Sequence, residues 1–162
     1  MTMQRKSAWL GCSVLVIGFL LAACRLADDV GPVGVLGYNH TDTDISQFLV
    51  DGAAGGSFVE AHHHGGTSCC VSIPKNWRSG LTVEVEWTTD LKSYKRRSVV
   101  IPEYEPSDGQ MVVHFLRNGD VKIFVTSLFP GHPNYPLKGP ESSLMRDGSA
   151  IGNEWKGKEE EG

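Results

Sequence analysis

Two adjacent cysteines, Cys69 and Cys70, are the residues whose type and spacing bear most directly on chemistry. Three states are open to them: a vicinal disulfide, two reduced thiols on alternate sides of a strand, or bonding to another chain or a metal. The flexible Gly65-Gly66 pair just before them suits the unusual backbone that a vicinal disulfide requires. A thioredoxin-like redox site is not predicted, because such sites separate their cysteines by two residues.

Three consecutive histidines, His62, His63 and His64, precede the cysteines. Imidazole and thiolate suit zinc or copper, which makes these histidines weak candidates for metal ligands. In an extended chain, however, neighbouring side chains point to opposite sides, so three in a row cannot all bind one ion. The sequence therefore predicts a polar surface loop over 60–66, with no metal and no cofactor.

The first 23 residues have the order of charge and hydrophobicity of a secretory signal. Arg5 and Lys6 form a short cationic start, and an apolar stretch follows over 8–21. That stretch is too short to span a bilayer comfortably. We interpret 1–23 as a cleaved signal peptide and exclude it from the fold prediction.

The residues Ala22-Ala23 before Cys24 resemble the lipobox of bacterial lipoproteins. The resemblance implies that Cys24 becomes the first mature residue and carries acyl chains, palmitate among them, which anchor the protein in the membrane. Several acyl chains hold a protein far more firmly than one. Because Arg25 rather than an aspartate follows, we expect the outer membrane, with the domain facing the periplasm.

The charge of the chain limits its partners. The net charge is −4, and the signal peptide holds basic residues but no acidic ones, so the mature domain is more acidic still. This composition argues against nucleic acid as a partner. One local exception is the basic cluster of Lys92, Lys95, Arg96 and Arg97, which is either a solvated hairpin rim or a landing patch for an acidic partner.

No catalytic residue is predicted. The sequence has no H-E-x-x-H motif, phosphate loop or nucleophile elbow, so a binding protein is expected rather than an enzyme. His114 lies within an apolar strand and is interpreted as a structural histidine. In the proline-rich segment 129–136, the residues His132, Asn134 and Tyr135 are candidate partner contacts, because prolines leave little entropy to lose on binding. Alternatively, Tyr135 closes one end of the core.

The mature chain reads as strands and turns. Residues 81–88 alternate between apolar and polar, which is typical of a half-buried strand. Asn118-Gly119 separates two apolar runs, a strong hairpin pattern, with Arg117 and Asp120 as a candidate charge pair beside the turn. The predicted strands cover 33–38, 45–50, 69–73, 81–88, 98–101, 111–116 and 121–125.

These patterns predict an all-β fold: a single antiparallel β-sandwich or open barrel of about seven short strands. No helical periodicity is sustained after the signal peptide. The predicted organisation is a signal peptide at 1–23, a lipid-anchored tether at 24–32, a β domain at 33–140 and a polar tail at 141–162.

Several segments together resemble the proteobacterial lipoprotein family known as domain of unknown function 3304. The resemblance extends over about 34–140, and its most specific parts are the adjacent cysteines before Val-Ser-Ile-Pro and the His-Pro-Asn-Tyr-Pro segment at 132–136. The remaining segments that carry it are Gly-Tyr-Asn-His-Thr-Asp at 37–42, Ile45, Phe48, 50–52, Trp77, 80–83 and 113–115. His62, His63 and His64 stand where mostly glycine and serine are expected, which argues against a required metal.

The resemblance implies a role as a type VI secretion immunity lipoprotein, which binds and blocks a secreted lipase effector in the periplasm. On this hypothesis the loops 51–67 and 129–136 form the inhibiting surface. Two other classes remain open. One is an envelope-maintenance lipoprotein that binds another outer-membrane protein, and the other is a copper- or zinc-binding lipoprotein that uses His62–His64 with Cys69 and Cys70.

Overall fold

Seven β-strands form two sheets in the computed structural model, which describes residues 30–105 and 109–145. The strands are β1 (Val30–Asn39), β2 (Gln47–Val50), β3 (Ser68–Pro74), β4 (Thr82–Thr88), β5 (Lys95–Val100), β6 (Gln110–Phe115) and β7 (Val121–Thr126). The prediction of an all-β fold of about seven strands is confirmed. In the described ranges no helix is long and apolar enough to cross a membrane. The predicted signal peptide at 1–23 and Cys24 lie outside these residues.

The two sheets pack face to face as a sandwich. One sheet has the strand order β3-β1-β6-β7 and the other β2-β4-β5. Neighbouring strands are antiparallel except β1 and β6, which run parallel with Val35 opposite Met111 and Asn39 opposite Phe115. A parallel pair needs a crossover connection, and here the chain passes through β2, β3, β4 and β5 before β6 returns beside β1.

Hydrophobic alternation decides which face of each strand meets the inter-sheet core. In β4, Val83, Val85 and Trp87 point inward and are buried, as the sequence predicts, while Glu84 is exposed. In β6, Met111 lies in the inter-sheet core and Val112 lies in a second core on the opposite face. Because β6 is buried on both faces, its sequence is nearly continuous in apolar residues.

The second core lies on the outer face of the four-stranded sheet. Residues 127–145, which we call the covering segment, cross this face and cover it, so the molecule has a third, irregular layer. Its buried members come from β1, β6, the residue after β6 and the covering segment: Leu36, Tyr38, Val112, Leu116, Tyr135, Leu137 and Leu144, with Phe124 and Leu128 packed against them. The segment after β7 is therefore part of the fold.

The folded unit extends beyond the predicted domain limits of 33 and 140. β1 begins at Val30, inside the predicted tether, because Val30–Val33 pair with β3. Leu144, in the predicted polar tail, is fully buried in the second core. Residues 141–145 are therefore packed, and the rest of the predicted tail, 146–162, lies outside the described residues.

The β6–β7 hairpin turns at Asn118-Gly119 as the sequence predicts. Gly119 has a positive φ of 84°, and the N–H of Leu116 donates to the carbonyl of Asp120 over 2.8 Å. The predicted Arg117–Asp120 pair is wrong. Asp120 pairs with Arg97 on β5 at 2.8 Å, while Arg117 turns toward the covering segment and lies 3.7 Å from Glu141. The hairpin thus contacts both neighbouring layers, β5 through Asp120 and the segment after β7 through Arg117.

The two ends of the sandwich are distinct. We call the end where β1, β4 and β6 finish the distal end, because Trp87 and Phe115 meet there across the two sheets with ring centroids 5.8 Å apart. Val30 starts β1 at the opposite end, beside Pro74. Ten extended residues separate the two ends of β1 by about 30 Å.

Candidate functional site

A chain of hydrogen bonds runs through the second core at the distal end. The Nδ1 atom of His40 lies 3.0 Å from the carbonyl oxygen of Ser143, and its Nε2 atom lies 2.8 Å from Nδ1 of His114. Nε2 of His114 lies 2.6 Å from the hydroxyl of Tyr135. The three side chains are buried, so the chain links β6 and the residue after β1 to the covering segment inside the protein.

The carbonyl of Ser143 sets the direction of every proton in the chain. A carbonyl can only accept, so Nδ1 of His40 carries the proton. With His40 neutral, its Nε2 accepts from Nδ1–H of His114. The remaining Nε2 of His114 then accepts from the hydroxyl of Tyr135. With both imidazoles neutral, all four ring nitrogens and the hydroxyl of Tyr135 therefore have a hydrogen-bond partner.

The surroundings hold these groups in their neutral forms. Burial lowers the pKa of His114 well below its ordinary value, and the nearby His40 and Lys122 lower it further. Burial also lowers the pKa of His40, although the Ser143 carbonyl opposes the shift. Burial raises the pKa of Tyr135. The three hydrogen-bonded side chains are therefore uncharged near neutral pH, and their hydrogen bonds hold the four-stranded sheet and the covering segment together.

Aromatic packing fixes the central imidazole. Tyr38 on β1 stacks on His114, with centroids 4.9 Å apart and planes 9° apart. Phe124 on β7 and Tyr135 approach the same ring edge-on, with centroids at 5.9 and 5.7 Å. Rings that touch a side chain on several sides leave it one rotamer, so His114 is held rigidly.

The turn after β1 is built around the buried side chain of Asn39. Its Nδ2 donates to the carbonyls of Thr43 and Val59 at 2.9 and 3.1 Å, and its Oδ1 accepts from the backbone N–H and the hydroxyl of Thr41. One side chain thereby ties the turn to the loop between β2 and β3. The motif at 37–42 therefore serves the architecture of the distal end.

The three consecutive histidines have separate partners. His62 contacts the carboxylate of Asp42 through Nε2 at 2.9 Å and the carbonyl of Leu144 through Nδ1 at 3.0 Å. His63 contacts the carbonyl of Ala61, and His64 contacts the carbonyl of Gly65. In the part of the chain that the structure describes, no group of three or more histidine, cysteine, aspartate or glutamate side chains is arranged to hold a metal ion.

Arg117 fastens the covering segment over the hydrogen-bond chain. Its Nη2 donates to the carbonyls of Ser143 and Leu144 at 3.1 and 2.7 Å, and its backbone N–H donates to the Glu141 carboxylate. The Nε atom of Arg117 is buried and has no hydrogen-bond partner among the described residues. The carbonyl of Ser143 thus accepts from two residues, His40 and Arg117.

The adjacent cysteines form a β-bulge at the edge of the four-stranded sheet. Val33 pairs with Val71 and Val35 with Ser68, so the single residue Gly34 opposes both cysteines. The sulfurs of Cys69 and Cys70 are bonded to each other, and Cys69 is exposed. A bulge is the place where two consecutive residues can leave the alternation of a strand.

The candidate partner residues of the proline-rich segment separate into buried and exposed positions. Tyr135 is 1% exposed, so its assignment as a partner contact is wrong; it closes the second core instead. His132 is half-buried and its Nδ1 accepts from the backbone N–H of Asn134, whose side chain is exposed. Tyr135 is buried rather than presented to a partner because this segment covers the outer face of the four-stranded sheet and must pack its apolar side chains against it.

A groove of about 660 Å³ opens at the distal end between β5, the turn after β1 and the β6–β7 hairpin. Trp87 and Phe115 contribute to its apolar part, and three consecutive cationic residues of β5 line one side. Those residues are Lys95, Arg96 and Arg97, three members of the basic cluster noted in the sequence. The distal end thus joins a rigid interior to an open, cationic surface.

Sequence reasoning missed the hydrogen-bond chain and the role of Arg117. One signal pointed toward the hydrogen-bond chain: His114 alternates with the apolar Val112 of β6 and with Leu116 just after it, and a histidine buried on such a face needs a polar partner. The partners themselves are 74 and 21 residues away along the chain.

Comparison with known proteins gives one match. The sequence profile of the family described as "Protein of unknown function (DUF3304)" matches residues 38–123, more than half of the chain. The expected resemblance over 34–140 is thus supported across its central part, which includes the adjacent cysteines. Neither a curated protein nor a solved structure matches the chain.

Proposed function

The chain belongs to the DUF3304 family of proteins of unknown function, and from this premise we propose that it is a lipid-anchored periplasmic immunity protein that neutralises a secreted lipase effector. The lipid anchor would be Cys24, and the localisation the outer membrane, facing the periplasm. The partner would be a type VI lipase delivered into the periplasm.

The observation that carries the proposal is the buried His40–His114–Tyr135 chain. It satisfies its polar groups internally and joins β1, β6 and the covering segment into one rigid body. A rigid scaffold loses little conformational entropy when a partner docks on its loops. The polar residues of the motifs at 37–42 and 132–136 thus support a binding surface, which favours an inhibitor over an enzyme.

The position of the anchor suits an inhibitor of a lipase. Cys24 precedes the first residue of β1 by six positions, which extended chain spans in about 20 Å. The sandwich is thereby held close to the bilayer that a lipase must attack. Tethering to the same surface also raises the concentration of inhibitor that the enzyme meets.

The test is growth rescue with the full chain. Each product of the genes that flank this one is exported to the periplasm, alone and together with the protein. The proposal expects one flanking product to be a toxic lipase, to be neutralised by co-expression and to bind the purified lipoprotein at nanomolar Kd in calorimetry. The absence of both toxicity and binding among the flanking products overturns it.

A matched variant tests the contribution of the anchor. Cys24→Ala, in a chain whose residues 1–23 are replaced by an ordinary cleavable secretory signal, removes the thiol that would be acylated and still lets the signal be cut off. We expect the variant protein to leave the membrane fraction and to protect cells less well, because it loses its local concentration at the bilayer. Equal membrane association of Cys24→Ala and wild type would contradict the anchor.

A further inference from the structure

The β4–β5 hairpin carries two exposed apolar side chains at its tip. Leu91 is 59% exposed and Tyr94 is 45% exposed. Leu91 also has a φ of 58°, a left-handed conformation that bulky residues avoid. Packing gives no reason for a large apolar side chain at this position, since water surrounds most of it. Strained backbone of this kind is concentrated at functional sites.

The hairpin tip is held in one conformation by its own hydrogen bonds. A single carboxylate oxygen of Asp90 accepts from the backbone N–H groups of Lys92 and Ser93, both at 2.8 Å. The hydroxyl oxygen of Thr88 accepts from the N–H of Leu91 at 3.0 Å. Because the turn is already ordered, little conformational entropy is lost when a partner docks on Leu91.

Cations of β5 lie beside this tip and line the distal groove. Lys95 pairs with Trp87 across the β4–β5 ladder, so both belong to the face of the sheet that borders the groove. Arg96 is bound to Glu86, and Arg97 is bound to Asp120. Among the described residues Lys95 has no ion-pair partner, so its ammonium group can pair with an incoming carboxylate.

We propose that the β4–β5 hairpin and the distal groove form a docking surface for an acidic protein. Carboxylates of the partner would enter the groove beside Lys95, while Leu91 and Tyr94 would make apolar contacts at the rim. Four cations lie within 92–97 in a chain of net charge −4. Arg96 and Arg97 are paired with Glu86 and Asp120, so among the described residues Lys92 and Lys95 supply the unpaired positive charge that an acidic partner would complement.

The geometry favours a protein over an anionic membrane. The groove is concave, and a flat bilayer surface does not fill it. The groove also lies at the distal end, about 30 Å from Val30. A chain anchored through Cys24 has the Val30 end nearest its own membrane. Among the described strands β5 is at the edge of its sheet, with its backbone paired to β4, so its other edge offers further backbone groups to a protein partner.

This docking surface deepens the proposed function and rests on it where it identifies the partner as the lipase. The chemistry of the surface can be tested separately with hexaglutamate as an acidic probe. Amide chemical shifts of the full lipidated protein in detergent are followed during titration with hexaglutamate. We expect shifts at 91–97 and 41–43 that disappear at high salt. Shifts elsewhere, or none, would overturn the docking surface.

Two variants and one matched control test the surface against the flanking-gene lipase. Lys95→Glu reverses the unpaired charge, and Leu91→Asn removes the apolar contact with a residue that tolerates positive φ. Lys75→Glu makes the same charge change at an exposed site beside Pro74, at the opposite end. We expect Kd to rise at least about tenfold for Lys95→Glu and severalfold for Leu91→Asn, with a change below about twofold for Lys75→Glu.

The outcomes separate the two proposals. If the lipase binds the wild type and all three variants equally, the docking surface is wrong and the proposed function stands. If no flanking product binds the wild type, the proposed function fails, and the hexaglutamate titration alone decides the surface. Tight binding of phosphatidylglycerol vesicles that Lys95→Glu abolishes, with no hexaglutamate shifts, assigns the surface to a membrane and overturns an acidic protein as its partner.

Discussion

The Nε2 atom of His40 and the Nδ1 atom of His114 are 2.8 Å apart, and neither ring is exposed to solvent. Two imidazoles at this distance share one proton between their facing nitrogens, so protonation of both rings would place two N–H groups against each other. The geometry therefore excludes the doubly protonated pair, and burial, which lowers the pKa of each residue, favours the neutral form of both rings. This preference makes folding dependent on pH.

We predict that the protein loses stability as the pH falls below about 6.5. The folded-state pKa of each histidine is lowered, so the unfolded chain binds more protons in that range. The stabilisation is fully present above the unfolded pKa of about 6.5 and is lost as the pH drops toward the folded values, at up to about 1.4 kcal/mol per pH unit for each ring. Urea unfolding from pH 5 to pH 8 measures it.

His114→Gln is the matched variant for this pH dependence. It removes one of the two buried imidazoles, so its unfolding free energy should vary less steeply with pH than that of the wild type, although it is lower at pH 8. An identical slope for the two proteins would show that the buried pair does not control the pH dependence.

Tyr135→Phe should destabilise the fold without changing its shape. The substitution removes the hydroxyl that donates to Nε2 of His114 and leaves a buried acceptor without its partner. Loss of such a bond costs about 1–3 kcal/mol. Tyr94→Phe removes a hydroxyl from an exposed tyrosine, and its effect should be within about 0.5 kcal/mol. Equal effects of the two substitutions in urea unfolding would contradict the structural role of Tyr135.

Local patterns predicted the strands but not the site. The alternation over 81–88 and the Asn118-Gly119 turn depend only on neighbouring residues, and both appear in the structure at the predicted positions. The hydrogen-bond chain depends instead on β1 lying beside β6 and on the segment after β7 crossing their outer face. Strand order comes from long-range packing, so no local pattern encodes the meeting of His40, His114 and Tyr135.

Gly55→Ala should be among the most damaging single substitutions in the loop between β2 and β3. A Cβ atom at Gly55 would lie 1.9 Å from the carbonyl oxygen of Phe48 and 2.9 Å from the Cα of Leu49. The clash is with backbone, which cannot rotate away, so we expect a loss of about 1–3 kcal/mol or more in the free energy of unfolding.

Gly66→Ala is the control for Gly55→Ala, because a Cβ at Gly66 would meet nothing within 4 Å. Its unfolding midpoint should match that of the wild type. The comparison also tests the interpretation of the 51–67 loop. A loop fixed against β2 responds sharply at Gly55, whereas a loop that presents itself freely to a partner would tolerate both substitutions equally.

Cys69 and Cys70 should resist alkylation until a dithiol reductant is added. The structure joins their sulfurs within a bulge in which Gly34 opposes both residues, so the oxidised pair fits the sheet without displacing β1. Iodoacetamide treatment of the purified protein followed by peptide mapping measures the free thiols. Cys69→Ser is the matched control, because it leaves Cys70 without a partner, and its Cys70 should be labelled without reduction.

Labelling of both cysteines in the untreated wild type would indicate reduced thiols. A dimer on a non-reducing gel would indicate pairing between chains, since a bond within one bulge cannot join two molecules.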